Sequence, residues 1–242
     1  MTKTYRLYID GKWEGGKESM LVIDKFTGET FANVPVASRE TTERAIRAAH
    51  EAFPAWSRTP AHKRHKILSN VSRLLEERQE EIATIICREA GKAWKYSVSE
   101  VSRSVETYRF SAEEAKRIHG ETVPMDASFA GEGRVGYWLR VPLGVVSAIT
   151  PFNFPLNLVA HKVGPALAVG NTLVLKPAST TPLTAIKLAE ILEEAGVPAG
   201  VFNVVVGSGG RWANGSPSTR GSRRSPSPAR PPSGSRSSGR RA

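Results

Sequence analysis

The sequence predicts an α/β protein: an N-terminal segment of hairpins and helices, followed by an incomplete doubly wound parallel sheet. Three observations carry this. Three continuous apolar runs stand at 144–150 (GVVSAIT), 172–176 (TLVLK) and 201–207 (VFNVVVG), each short enough for one strand. Between them lie two segments with helical composition, 155–170 and 181–196, joined by short links. Upstream, apolar residues recur at helical spacing across about 80 positions. Strand, helix, strand, helix, strand with short links is the pattern of a parallel β-α-β-α-β unit.

The elements read in order as follows. Tyr5 to Ile9 runs into Asp10-Gly11, a hairpin dipeptide, and then Trp13. A second turn at Thr27-Gly28 separates Val22-Ile23 from Phe31. Ser38 is placed to cap a helix whose face carries Ala45, Ile46, Ala49, Phe53 and Trp56. Ile67, Leu68, Val71, Leu74 and Leu75 mark a second helix. Ile82, Ile85 and Ile86 mark a third, closed by Gly91 just past its end. A fourth runs from about Trp94 to Ile118 and stops at Gly120. Val135, Tyr137, Leu139 and Val141 alternate, as in a strand with one exposed face. The run 144–150 is expected to be buried on both faces, like the other two members of a parallel sheet.

Charge and composition divide the chain. The whole carries 34 Lys+Arg against 23 Asp+Glu, but residues 211–242 hold eight Arg, no Lys and no acid. Residues 1–210 therefore carry 26 basic and 23 acidic side chains, so the basic balance belongs to the tail. Ser, Arg, Pro and Gly make up 26 of its 32 residues, a composition that cannot bury enough apolar surface to offset ordering entropy. Three units follow: 1–143 (hairpins, helices and the strand at 135–141), 144–210 (the parallel unit) and 211–242 (a disordered tail). The single cysteine, Cys87, rules out an intrachain disulfide. No 18-residue apolar stretch or signal-like start occurs, so a cytoplasmic protein without membrane contact is expected.

Ligands of such a unit gather at the carboxyl ends of the strands, which directs attention to three places. The first is Thr150-Pro151-Phe152-Asn153-Phe154-Pro155, a stiff and dry turn in which a fixed amide could donate to a developing oxyanion. Asn153 is equally placed to cap the following helix, and spacing alone favours the cap. The second is Lys176-Pro177-Ala178-Ser179, where a lysine could reach a ribose or phosphate or simply close a strand in solvent. The third is Gly207-Ser208-Gly209-Gly210, small enough for close approach to a diphosphate but short of the full dinucleotide fingerprint. His62 and His65 sit among Lys63, Arg64 and Lys66 and read as a solvated basic face, with no metal site. Arg109 and Arg117 could meet an anionic substrate, or be ordinary solvated arginines.

Together these strand ends carry a resemblance. The stretch TPFNFPLNLVAHKVGPALAVGNTLVLKPASTTPLTAIKLAEILEEAGVPAGVFNVVVG (150–207), with EAGKAWKYSVSEV (89–101) and RVPLGVVSAITPFN (140–153), closely resembles the aldehyde dehydrogenase superfamily. The resemblance covers residues 5–210, and makes 144–210 part of a Rossmann-like NAD(P)-binding domain. It implies oxidation of an aldehyde to a carboxylate with NAD or NADP. A cysteine thiolate attacks the aldehyde, an Asn amide and a backbone N–H hold the oxyanion, hydride leaves to the nicotinamide, and a glutamate activates water against the thioester.

Carried over residue by residue, Asn153 matches the oxyanion Asn. Lys176 matches the adenosine-ribose contact, and Ile149, Thr150, Pro151, Phe152 and Asn153, with Ala178, Ser179 and Gly207, line the cofactor crevice. Many NAD-preferring members have Glu where this chain has Ser179; a carboxylate repels a 2′-phosphate and a hydroxyl does not, so NADP is expected to be accepted. The family's nucleophilic Cys and catalytic Glu lie beyond the third strand, in a region this chain does not have. Cys87 reads as a packed helix residue, so no complete turnover is expected. Family members are homo-oligomers acting on small aldehydes.

The tail has two readings. Back-translated with Ser as TCN and Arg as CGN and read one frame over, it permits a helix followed by F-T-G-S-T-x-x-G, the family's continuation; this points to a frameshift near residue 211. Alternatively it is a genuine basic tail that binds nucleic acid electrostatically, without sequence specificity, or the chain is a non-catalytic nucleotide-binding fragment.

Overall fold

The computed structural model describes residues 2–207. The expectations for Ser208-Gly209-Gly210 and for residues 211–242 lie outside the described residues. The strands are β1 (Lys3–Thr4), β2 (Leu7–Ile9), β3 (Lys12–Glu14), β4 (Glu18–Ile23), β5 (Thr30–Val36), β6 (Glu121–Val123), β7 (Gly136–Trp138), β8 (Val145–Ile149), β9 (Thr172–Lys176) and β10 (Phe202–Val204). The helices are α1 (Arg39–Trp56), α2 (Ala61–Glu77), α3 (Gln79–Ala90), α4 (Trp94–Ala115), α5 (Asn157–Ala168) and α6 (Leu183–Glu194).

The local signals explain the boundaries. Asp10 and Gly11 both take positive φ (53° and 70°), the pairing that a two-residue hairpin loop between β2 and β3 requires. Ser38 accepts the Thr41 N–H at 3.1 Å and so caps α1. Gly91 ends α3 at φ 65°, its N–H on the Cys87 carbonyl. α4 stops at Ala115, three residues short of the expected Ile118.

The parallel unit forms as expected: β8, β9 and β10 are parallel neighbours, crossed by α5 and α6. The sheet is larger than that unit, however. β10 pairs antiparallel with β2, Val204 opposite Tyr8, so the hairpin completes a five-stranded sheet in the order β3-β2-β10-β9-β8. The sheet thus joins elements from both sides of residue 144. α1 lies on it, and Thr172 Oγ1 donates to the Ala49 carbonyl at 2.8 Å. α4 packs on α2 and α5, and α3 on α6. Trp56, Tyr108, Leu173 and Phe202 fill the core between them.

Two expectations about strands are corrected. β9 is buried throughout, but β8 is not: Ser147 is exposed and Ile149 is 53% exposed. β8 is the outer strand of the sheet, and among the described residues it pairs only with β9. The alternation at 135–141 buries neither face. Only Gly136–Trp138 forms a strand, in a two-stranded ribbon with β6, and Val135, Tyr137, Leu139 and Val141 are all exposed. Met125 lies against Gly136, but among the described residues that contact covers neither face, so the alternation has no inside to select.

Candidate functional site

Parallel register brings the three strand ends to one edge of the sheet. Ile149 on β8 stands opposite Lys176 on β9, and the Thr150 N–H donates to the Lys176 carbonyl at 3.2 Å. Val204 on β10 stands opposite Leu175, and the Val205 N–H reaches the Leu175 carbonyl at 2.9 Å. Past the strands, Ser179 Oγ donates to the Gly207 carbonyl at 2.7 Å, fastening the exit of β9 to that of β10. The residues read as cofactor contacts (Ile149 to Asn153, Lys176, Ala178, Ser179 and Gly207) therefore all leave the sheet at its carboxyl edge.

Their environments differ. Lys176 is buried, yet among the described residues its ammonium makes a single hydrogen bond, to the Pro177 carbonyl at 3.1 Å. Burial lowers its pKa, as expected for a cation short of partners. Thr150 is buried too, and its Oγ1 has no partner among the described residues. Ala178, Ser179 and Gly207 are half-buried. Ile149 and Phe152 are exposed apolar side chains next to these polar groups, with Pro151 and Asn153 also exposed. At Gly207 an added Cβ would find only ordinary contact, with Val36 Cγ1 at 3.8 Å, so packing alone does not demand glycine there.

The turn at 151–155 is not dry, since Pro151, Phe152 and Asn153 are all exposed. Nor does Asn153 cap α5, whose N-cap position is Leu156. The cap comes from a different element: the Leu156 and Asn157 N–H groups donate to Glu100 Oε1 at 2.9 and 3.2 Å, so a buried carboxylate on α4 satisfies the start of α5. Glu100 is ion-paired with Lys92, whose ammonium also donates to the Asn153 carbonyl at 2.8 Å and lies 4.0 Å from the centre of the Phe154 ring. The Asn153 backbone is thereby held, while its side-chain amide has no hydrogen bond among the described residues. Glu89 plays the same part for α6. Wholly buried, it accepts the Leu183 and Thr184 N–H groups at 2.8 and 3.0 Å, and also the Thr184 hydroxyl.

Sequence reasoning missed Glu89, Lys92 and Glu100 as parts of this framework. One signal was available. Glu100 lies on the face of α4 that carries Ser97, Val101, Ser104 and Val105, and an acid on a buried helix face needs a partner. The arginines read as possible anion contacts are committed elsewhere: Arg109 to Glu106 and Glu76, and Arg117 to Glu113 and Glu114. Cys87 Sγ lies 3.2 Å from Ser97 Oγ, between α3 and α4 and not at the strand ends. His65 Nδ1 sits 3.0 Å from the Ala112 carbonyl. Among the described residues no group of three His, Cys, Asp or Glu side chains is placed to hold a metal, and no helix is long and apolar enough to cross a membrane.

The sequence pattern of the aldehyde dehydrogenase family matches residues 13–215. The chain belongs to that family. A 3-sulfolactaldehyde dehydrogenase of Priestia aryabhattai is 46% identical over 213 residues, which is 87% of this chain and 44% of that protein. The crystal structure of an NADP-dependent enzyme from E. coli superposes with a TM-score of 0.84 at 40% identity, covering 88% of this chain and 44% of that one. The NAD+ complex of an aldehyde dehydrogenase from Bacillus cereus gives 0.83 at 32% identity, over 88% and 43%. The chain thus spans less than half the length of these family members, and what it matches is their N-terminal part, with its α/β fold.

Proposed function

We propose that this chain supplies the nucleotide-binding edge and the oxyanion donor of an NAD(P)-dependent aldehyde oxidoreductase, which converts an aldehyde to a carboxylate. The observation that supports this best is Lys176, a buried ammonium with one hydrogen bond among the described residues, at the end where three parallel strands stop. Such a group calls for further acceptors, and ribose hydroxyls provide them. Thr150 Oγ1, buried and without a partner among the described residues, points the same way. In this reading Lys176, Ala178, Ser179 and Gly207 hold the adenosine and diphosphate side. Ile149, Thr150, Pro151 and Phe152 form the wall, where exposed Ile149 and Phe152 give flat apolar surface. When bound, the nicotinamide accepts hydride. The Asn153 amide, without a protein partner among the described residues and fixed through its backbone by Lys92, donates to the oxyanion. Ser179 presents no negative charge to a 2′-phosphate, so NADP is accepted alongside NAD.

The nucleophile and the water-activating acid are not among these residues. Cys87 is engaged between α3 and α4, so the chain binds nucleotide without turnover. Residues from about 211 arise, in this reading, from a shifted frame. Calorimetric titration of the full chain with NADP+ tests the site. Saturable binding that Lys176→Ala weakens about ten-fold or more supports it; no binding by the unaltered chain overturns it. The nucleotide sequence across codons 200–245 tests the frame, and an unbroken frame with no family motif in its neighbour refutes the shift.

A further inference from the structure

The two turns that carry the proposed contacts, 150–156 and 177–183, follow different strands, yet both are fastened from one place, the corner between α3 and α4. Glu89, the last residue but one of α3, accepts the Leu183 and Thr184 N–H groups at 2.8 and 3.0 Å. It thereby holds the far end of the 177–183 turn, whose near end is the exit of β9. Lys92, three residues on, donates to the Asn153 carbonyl at 2.8 Å and pairs with Glu100. Glu100 holds the far end of the 150–156 turn through the Leu156 and Asn157 N–H groups, and the near end is the exit of β8.

The corner is stiff. Gly91 takes φ 65°, and an added Cβ would meet Lys25 Cβ at 2.9 Å, so both conformation and space exclude a side chain there. The Lys25 N–H donates to the Arg88 carbonyl at 2.9 Å, and Arg88 is paired with Asp24 at 2.7 Å, so the turn after β4 backs the corner from behind. In front, the Ser97 hydroxyl lies 3.4 Å from the Lys92 carbonyl and joins it to α4. The two turns are softer: Pro151, Phe152 and Asn153 in one and Thr180 in the other are exposed. A stiff corner that grips two soft turns passes a displacement of one to the other, because packed and hydrogen-bonded side chains do not absorb it.

We infer that residues 89–92 couple the nucleotide turn to the oxyanion turn: a nucleotide that draws 177–183 towards itself sets Asn153 through Glu89 and Lys92. Both are positioning residues, acting through the turns they hold and not on nucleotide or substrate. The coupling rests on the reading of 177–183 as a nucleotide contact and of Asn153 as the oxyanion donor. A second route exists, along the end of β8 from Ile149 to Asn153, and it does not pass through Glu89. Substitution at Glu89 therefore tells the two routes apart.

AMP is the probe, because it fills the adenosine end and stops short of the nicotinamide. Titrated into the full chain labelled with 15N, it is expected to shift the Ser179 N–H, and with the same affinity the Asn153 side-chain amide and the Leu156 N–H. Glu89→Gln keeps the side-chain shape but turns an amide donor towards the donors at the start of α6. It orphans no cation, since Glu89 has no ion pair among the described residues. In this variant AMP still shifts Ser179, and the response at Asn153 and Leu156 is lost. Lys92→Gln also loses that response, Lys92→Arg retains it, and Arg109→Gln, on the exposed side of α4, leaves it intact. Should Lys92→Gln unfold, the Glu89→Gln spectra decide. An Asn153 response that survives Glu89→Gln overturns the coupling, because it then travels along β8. So does AMP that shifts Ser179 alone in the unaltered chain, and in both cases the nucleotide reading stands. If AMP shifts nothing, the nucleotide reading fails and the coupling falls with it.

Discussion

Lys92 and Glu100 form an ion pair buried under the turn that carries Asn153: the Glu100 side chain is wholly inaccessible and that of Lys92 is 15% exposed. Each partner holds a different part of the turn. Lys92 takes the Asn153 carbonyl, and Glu100 takes the two N–H groups that open α5. Removing the carboxylate leaves a mostly buried cation and two orphaned N–H donors. Losing one member of a buried pair costs about 3–5 kcal/mol, so Glu100→Ala is expected to lose stability in that range on urea unfolding. The Leu156 and Asn157 amides should then exchange with solvent faster than those of α2. A loss under about 1 kcal/mol would show that water replaces the carboxylate without strain.

Glu89 makes a prediction about pH. Burial pushes its carboxyl up to about 7, against the hydrogen bonds from Thr184 and Leu183 that favour the charged form. Because the folded state holds this proton more tightly than the unfolded chain does, the group favours folding at low pH. That contribution is complete below the ordinary value of 4.5 and is lost as pH rises to about 7. Glu89→Gln removes the titration. Thermal melts of both proteins from pH 4.5 to 8 should show the advantage of the unaltered chain over the variant shrinking with pH, by up to about 3 kcal/mol. A constant difference across the range would mean that Glu89 is ionised throughout.

The parallel unit was legible because each buried strand is a local run and each crossover helix a local period. The attachment of β2 to β10 was not, because residues 8 and 204 meet through backbone pairing that leaves no mark in either segment. Burial of β8 was overstated for a related reason. An apolar run shows that a strand can be covered, not how many neighbours it has. The same holds for Val135 to Val141, whose alternation is identical whether or not one face is packed. At the site, residue types at the strand ends were readable and their support was not. The Asn153 turn is held by Lys92 and Glu100, more than fifty positions upstream, and only the misplaced polarity of Glu100 within α4 hinted at it.

Ser179 allows charge to be separated from geometry. Its hydroxyl ties the exits of β9 and β10 together through the Gly207 carbonyl. Ser179→Glu removes that donor and adds a carboxylate where a 2′-phosphate is proposed to lie. NADP+ affinity is expected to fall about ten-fold or more while NAD+ affinity falls less. Ser179→Ala, which breaks the same bond without adding charge, should weaken both nucleotides alike. Equal losses for both nucleotides in Ser179→Glu would place the phosphate elsewhere.

The outer flank of β8 carries the last prediction. Val145 and Val146 are half-buried, Ser147 and Ile149 are exposed, and no described strand pairs beyond them. A strand with an open row of N–H and C=O groups and apolar side chains is a template for another copy of itself. The chain is therefore expected to associate as its concentration rises, and light scattering or sedimentation will report it. Ser147→Lys places a charge at the middle of that edge without touching the core, since Ser147 is exposed. It should raise the concentration at which association begins and leave the melting temperature nearly unchanged. If association persists undiminished in this variant, the contact lies on another surface, and the exposed ribbon of β6 and β7, with Tyr137 and Leu139, becomes the place to mutate next.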